Sequence, residues 1–189
     1  MRVAKMSENL KQKPKKSREN IVLIGFMGVG KGTIARELSK ELGRFTLDCD
    51  DLIESKENLK ISEIFAKNGE EYFRNLEKDL AKFLSKNVKN AIISTGGGFA
   101  KVKKLNKIGK VIYLKSSFEA IINRLKNSEN SDKKFAKRPL LADLKKAKKL
   151  FDQRQEIYAK KADFIIVVED KTPKQIVKEI IKEFENGKI

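Results

Sequence analysis

The sequence predicts an α/β fold, a five-stranded parallel sheet with helices on both faces. Three observations carry that prediction. Five short apolar runs recur along the chain, helical patterns separate them, and two of the runs lead directly into glycine-rich turns, GFMGVGKG and TGGG. Short apolar runs without polar alternation mark strands buried on both faces, and parallel strands are joined through crossover helices.

Ile21–Ile24 is apolar and β-branched, a buried strand by length. The glycine-rich turn after it opens a helix over Thr33–Leu42, and Phe45–Leu47 is a short second strand. Residues 51–68 hold two short helical pieces, DLIESKE and ISEIFAK, closed by Gly69. Glu70–Lys86 is a longer helix with Phe73, Leu76, Leu80, Phe83 and Leu84 on one stripe. Ala91–Ser94 is the third strand and runs into Gly96–Gly98; Val111–Leu114 is the fourth, followed by a helix over Phe118–Lys126. Asn127–Lys137 is polar and reads as a structureless, mobile loop. Asp143–Lys160 is a helix with Leu144, Ala147, Phe151 and Tyr158 along its apolar stripe. Phe164–Val168 is the fifth strand, and Pro173–Phe184 closes the chain as a helix with proline in its first turn. No internal repeat is visible, so residues 20–189 are expected to form a single domain. Residues 1–19 carry seven basic and two acidic residues and read as a disordered basic arm, or as sequence upstream of a start at Met6.

Composition removes whole classes of chemistry. The chain has no His and one Cys, so Ser-His-Asp and Cys-His nucleophile systems, HExxH metal sites, Cys-rich zinc sites and internal disulfides are excluded. Catalysis must rest on carboxylates, Lys, Arg, backbone amides or a cofactor. No apolar stretch is long enough for a membrane span. The formal charge of +17 suggests a nucleic-acid partner, but only eight of the 43 basic residues are Arg. Nucleic-acid recognition draws on the planar, bidentate guanidinium, so a Lys-dominated excess points to compositional bias and argues against that partner. Arg is therefore the scarce choice, and each Arg inside the domain needs a reason.

Gly25–Thr33 (GFMGVGKGT) follows a strand and opens a helix, the context a phosphate-binding loop requires. Gly28, Val29, Gly30, Lys31, Gly32 and Thr33 would present backbone amides and the helix N-terminus to nucleotide phosphates, with Lys31 supplying a mobile positive charge. One position departs from the pattern. Where Ser or Thr would ligate magnesium through its hydroxyl, Gly32 stands, with Thr33 next. Magnesium must then rest on phosphates, water and a carboxylate, or on a repositioned Thr33, and Gly32→Ser is expected to tighten magnesium dependence. The Gly-Lys-Gly-Thr ending also resembles adenylate kinases.

The phosphate acceptor is addressed by three further features. Asp48 and Asp50, two apart at the end of the second strand, suit a magnesium-water site and an acceptor hydroxyl, or equally a solvated turn and helix N-cap. Gly96–Gly98 lets a small molecule pack flush against the main chain at the crevice end of a strand. Arg154 lies on the apolar stripe of its helix, where an inward guanidinium needs a partner such as a ligand carboxylate. Arg74 flanks the stripe of the Glu70–Lys86 helix. Arg138 ends the polar loop, from which a lid could carry a cation onto the transferring phosphate.

In this order and spacing, the phosphate loop, LDCDDLI, EYFRNLE, STGGG, RPLL and QRQEIY resemble shikimate kinases over about Ile21–Ile181. Related phosphate-loop kinases of gluconate or nucleotides lack the combination. The resemblance implies a phosphate-loop kinase fold with a mobile lid at about 127–139. It implies transfer of the ATP γ-phosphoryl group to the 3-hydroxyl of shikimate, in aromatic amino-acid biosynthesis, with Mg2+. Asp50 would hold and deprotonate the hydroxyl, and Arg74 and Arg154 would clamp the shikimate carboxylate. Gly97 and Gly98 would line the ring hydroxyls, Asp48 would orient magnesium waters and Arg138 would close over the phosphates. Arg124 and Pro173 match positions that sandwich adenine. A monomer in the cytoplasm is expected. Cys49, where the family usually has Thr or Ser, could make the site thiol-sensitive. The competing readings are another small-molecule or nucleoside monophosphate kinase, and a basic phosphate-loop protein that binds nucleic acid.

Overall fold

A computed structural model describes residues 19–136 and 138–185. Apart from Glu19, the basic N-terminal segment lies outside the described residues, as do Lys137 and the last four positions. The elements are β1 (Ile21–Ile24), α1 (Lys31–Leu42), β2 (Thr46–Asp48), α2 (Cys49–Glu57), α3 (Ile61–Asn87), β3 (Ile92–Ser94), β4 (Lys110–Lys115), α4 (Phe118–Lys126), α5 (Ser131–Ala136), α6 (Leu144–Lys161), β5 (Phe164–Val167) and α7 (Pro173–Glu185). The five strands form one sheet in the order β2-β3-β1-β4-β5, every pairing parallel. β1 is central, and all four of its residues are fully buried, as the unbroken apolar run requires. α1 packs along β1, β2 and β3 and against α7, while α6 packs on β4.

A smaller apolar cluster of Ile53, Ile64, Phe73 and Leu76 joins α2 to α3 beside the main core. It holds the part of the chain that carries Arg74. Gly69 interrupts α3 at φ 81°, ψ 175°, so the expected break between two helical pieces is present as a kink inside one helix.

Three expectations are corrected. The polar segment expected to be structureless is ordered in its described residues, 127–136: Ser131–Ala136 forms a helix, opened by a turn and carrying Asp132 in its first turn, where the helix dipole favours a carboxylate. Phe83 is 53 % exposed and does not belong to the buried stripe of α3, which runs through Phe73, Leu76, Glu77, Ala81 and Leu84. Leu144 is 39 % exposed at the open end of α6, so the buried face there is Ala147, Phe151, Arg154 and Tyr158.

Candidate active site

The site lies at the C-terminal ends of β1, β2 and β3, the crevice side of a parallel sheet. After β1 the chain turns through Gly25, Gly28 and Gly30, at φ 144°, 83° and 102°. Side chains are strained there, and a methyl group on Gly25 would stand 2.8 Å from the Leu114 carbonyl oxygen. Gly30 is the N-cap of α1, so the first amides of that helix open toward the loop. Lys31 folds back over the loop and donates to the carbonyls of Gly25 (2.8 Å) and Phe26 (3.1 Å). Burial pushes its ammonium down to about 8, against the opposing pull of Asp50 and Asp48.

Asp48 ends β2 and caps α2, accepting the Asp50 amide at 2.9 Å. The cap reading of this pair is thus realised, and the capped turn aims Asp50 at the glycines. Burial first, then repulsion from Asp48, raises the Asp50 carboxyl to about 6. Cys49 between them is fully buried, and burial pushes its thiol well above the usual range, so the expected thiol sensitivity is not supported.

The triple glycine shows what assembles around it. A methyl group on Gly96 would stand 2.6 Å from the Asp50 carboxylate, one on Gly97 3.3 Å from Nη1 of Arg154, and one on Gly98 2.5 Å from Nη1 of Arg74. Three successive residues without side chains thus receive three functional groups from α2, α6 and α3. Arg154 is 6 % exposed, and among the described residues its Nε has no hydrogen-bond partner. A buried, unsatisfied guanidinium donor calls for an anion.

Residues not foreseen from sequence complete the shell. Arg74 donates through Nε and Nη2 to Glu70 (3.0 and 2.8 Å) and through Nη1 to Glu77 (2.8 Å). Glu77 is 3 % exposed, and its burial raises its carboxyl despite Arg74 beside it. The signal was available: Glu77 sits among apolar stripe positions, as Arg154 does. Tyr158 donates its hydroxyl to the Gly97 carbonyl at 2.6 Å, tying α6 to the glycine turn.

On the nucleotide side, the Arg124 guanidinium lies over the phosphate loop, with Nη1 2.4 Å from where a methyl on Gly30 would stand. Arg138 donates to the Lys134 carbonyl in α5, and its charge is close enough to oppose those of Lys31 and Arg124. Pro173 opens α7. Among the described residues no three Asp, Glu, Cys or His side chains gather as a metal cage. Magnesium needs no such cage, since it keeps water and binds through one or two carboxylates and substrate phosphates, which Asp48 beside the loop can serve.

A phosphate loop facing a carboxylate and two guanidinia across a glycine turn defines a phosphate-loop kinase of a small acidic acceptor. The family model "Shikimate kinase" matches residues 27–185. The chain belongs to the shikimate kinase family. It is 47 % identical to the shikimate kinase of Helicobacter hepaticus over 78 % of this chain and 86 % of that one. It is 39 % identical to that of Thermodesulfovibrio yellowstonii over 90 % and 99 %. The solved shikimate kinase from Acinetobacter baumannii in complex with shikimate superposes with a TM-score of 0.79 at 30 % identity, covering 92 % of this chain and 97 % of that one.

Proposed function

We propose that the chain transfers the γ-phosphoryl group of ATP to the 3-hydroxyl of shikimate through the residues gathered at Gly96–Gly98. The observation that carries this reading is the placement of Asp50, Arg154 and Arg74 against three consecutive glycines. Arg154 and Arg74 bind the acid's carboxylate, and Arg154 brings to it an otherwise unmatched buried donor. Gly97 and Gly98 let the ring lie against the backbone. Asp50, with its carboxyl near 6, is largely ionised at neutral pH and accepts the 3-hydroxyl proton as that oxygen bonds to the γ-phosphorus. The bond from phosphorus to the bridging oxygen breaks, and ADP leaves. Gly28, Val29, Gly30, Gly32 and Thr33 present the loop to the phosphates, and Lys31 leaves its carbonyl partners to bind them. Arg138 closes on the transferring group from the segment 127–139, and Arg124 with Pro173 takes the adenine. Asp48 through water together with the nucleotide phosphates, or a repositioned Thr33, would hold magnesium, whose charge would offset that of the phosphates. A single domain over 20–189, a monomer and a cytoplasmic location complete the reading. Among the described residues no helix is long and apolar enough to cross a membrane.

ADP release with magnesium-ATP, with and without shikimate and beside AMP and gluconate, tests it. Stimulation by shikimate alone is the expected result. Turnover indifferent to shikimate would overturn it.

A further inference from the structure

The glycine at position 32 has no backbone reason to be glycine. Unlike Gly25, Gly28 and Gly30, it does not adopt a positive φ. Among the described residues, and leaving aside its chain neighbours and the backbone of its own helix, a methyl group built on it would meet a single heavy atom within 4 Å, Nη1 of Arg36 at 3.6 Å, which is ordinary van der Waals contact. The space that a Ser or Thr side chain takes in other phosphate loops is therefore neighboured by a guanidinium from one turn further along α1. Helical side chains lean toward the N-terminus, which brings Arg36 back toward the opening of α1 where Lys31 and the first amides lie.

The other described arginines have work elsewhere. Arg44 donates to the Glu19 carbonyl and covers the Phe184 ring, Arg74 and Arg154 flank the glycines, Arg124 covers Gly30, and Arg138 bonds to the Lys134 carbonyl. Arg36 is exposed, and among the described residues no hydrogen bond or ion pair holds it. In a chain that uses Lys for 35 of its 43 basic residues, an arginine beside Gly32 that makes no hydrogen bond or ion pair among the described residues, and whose charge acts only on the neighbouring Glu37 carboxylate, is the exception.

We propose that Arg36 is a phosphate ligand of the bound nucleotide, its guanidinium standing in for the hydroxyl that Gly32 lacks. A fork of donors suits phosphate oxygens, and its fixed charge acts whether or not a metal is present. Part of the nucleotide affinity is thereby moved from the metal to the protein. This inference rests on the ATP-binding reading of the loop.

Calorimetric titration with ADP, in EDTA and in magnesium, separates the two. The wild-type chain binds ADP in both, and Lys31→Ala weakens it in both. Arg36→Gln is expected to weaken ADP binding in EDTA about tenfold, the scale of one lost charge-assisted hydrogen bond. Arg36→Lys is expected to fall between Arg36→Gln and wild type, and the shikimate affinity and melting temperature of Arg36→Gln stay at wild-type values. ADP affinity in EDTA unchanged by Arg36→Gln would overturn the inference while leaving the loop reading intact. A wild-type chain that binds no ADP would overturn both.

Discussion

Asp50 and Lys31 are pushed toward each other on the pH scale by the same cause, burial. The carboxyl rises to about 6 and the ammonium falls to about 8. Asp50 works when ionised and Lys31 when protonated, so the pH profile of kcat/KM is expected to be a bell with limbs near those values. Asp50→Asn should remove the acidic limb and lower kcat by about 10²–10⁴. The same shift makes Asp50 a stability liability. Its folded value lies above its ordinary 3.8, so folding bears no charge penalty below about pH 4 and the full one above about pH 6. Asp50→Asn should therefore be more stable than wild type at pH 8, by about 1–3 kcal/mol, with the difference vanishing as pH falls from 6 to 4. Thermal melts of both proteins across that range check it; a variant less stable at pH 8 would mean the carboxylate is better compensated than its burial implies.

At the scale of elements, the glycine turn after β3 sorts the reaction into parts. Gly98 has ordinary helical φ, so alanine fits the backbone, but its methyl group would displace the Arg74 guanidinium. Gly98→Ala should raise the KM for shikimate about tenfold and leave the KM for ATP alone. Gly96→Ala pushes instead on the Asp50 carboxylate and should lower kcat. Steady-state kinetics of the pair decide whether the two glycines serve different groups. Much at this scale was legible in the sequence, because strand runs, the phosphate loop and the inward Arg154 are local signals with local causes. What was not legible is long-range or weakly patterned. The strand order depends on pairings distant in sequence, such as Ile21 with Ile92 and with Lys110. α5 is six residues of polar sequence without a buried stripe, so no periodicity marks it. Phe83 and Leu144 show the opposite error, since an apolar residue at the margin of a stripe need not be covered.

Across the whole molecule, reactivity and stability are placed at opposite ends of the sheet. The C-terminal strand ends carry the strained loop, the buried carboxylate and the unmatched guanidinium, all of which reduce stability until substrates arrive. The N-terminal ends carry the opposite kind of polar group, buried and satisfied. Asn20, just before β1 and 1 % exposed, donates to the carbonyls of Val88 (2.7 Å) and Ile108 (2.8 Å) and accepts the Ala91 amide (3.0 Å). It ties the entry of the central strand to the segments that lead into β3 and β4. Gly109 leaves room for this staple, since a methyl group there would stand 2.2 Å from the Asn20 carbonyl oxygen. Arg44, the buried arginine with no part in the site, belongs to the same end. Asn20→Ala strands two carbonyls and one amide away from water and should cost about 2–4 kcal/mol, a fall in melting temperature of about 5–15 °C for a chain of this size. Because no reacting group touches it, the KM values for ATP and shikimate should not move. A melt and a kinetic assay on this variant, set beside Asp50→Asn, would give opposite pairs of results: stability lost with the KM values unchanged in one, stability gained with catalysis lost in the other. Loss of both in Asn20→Ala would show that the two ends of the sheet are coupled, and that the site depends on strain relayed through β1.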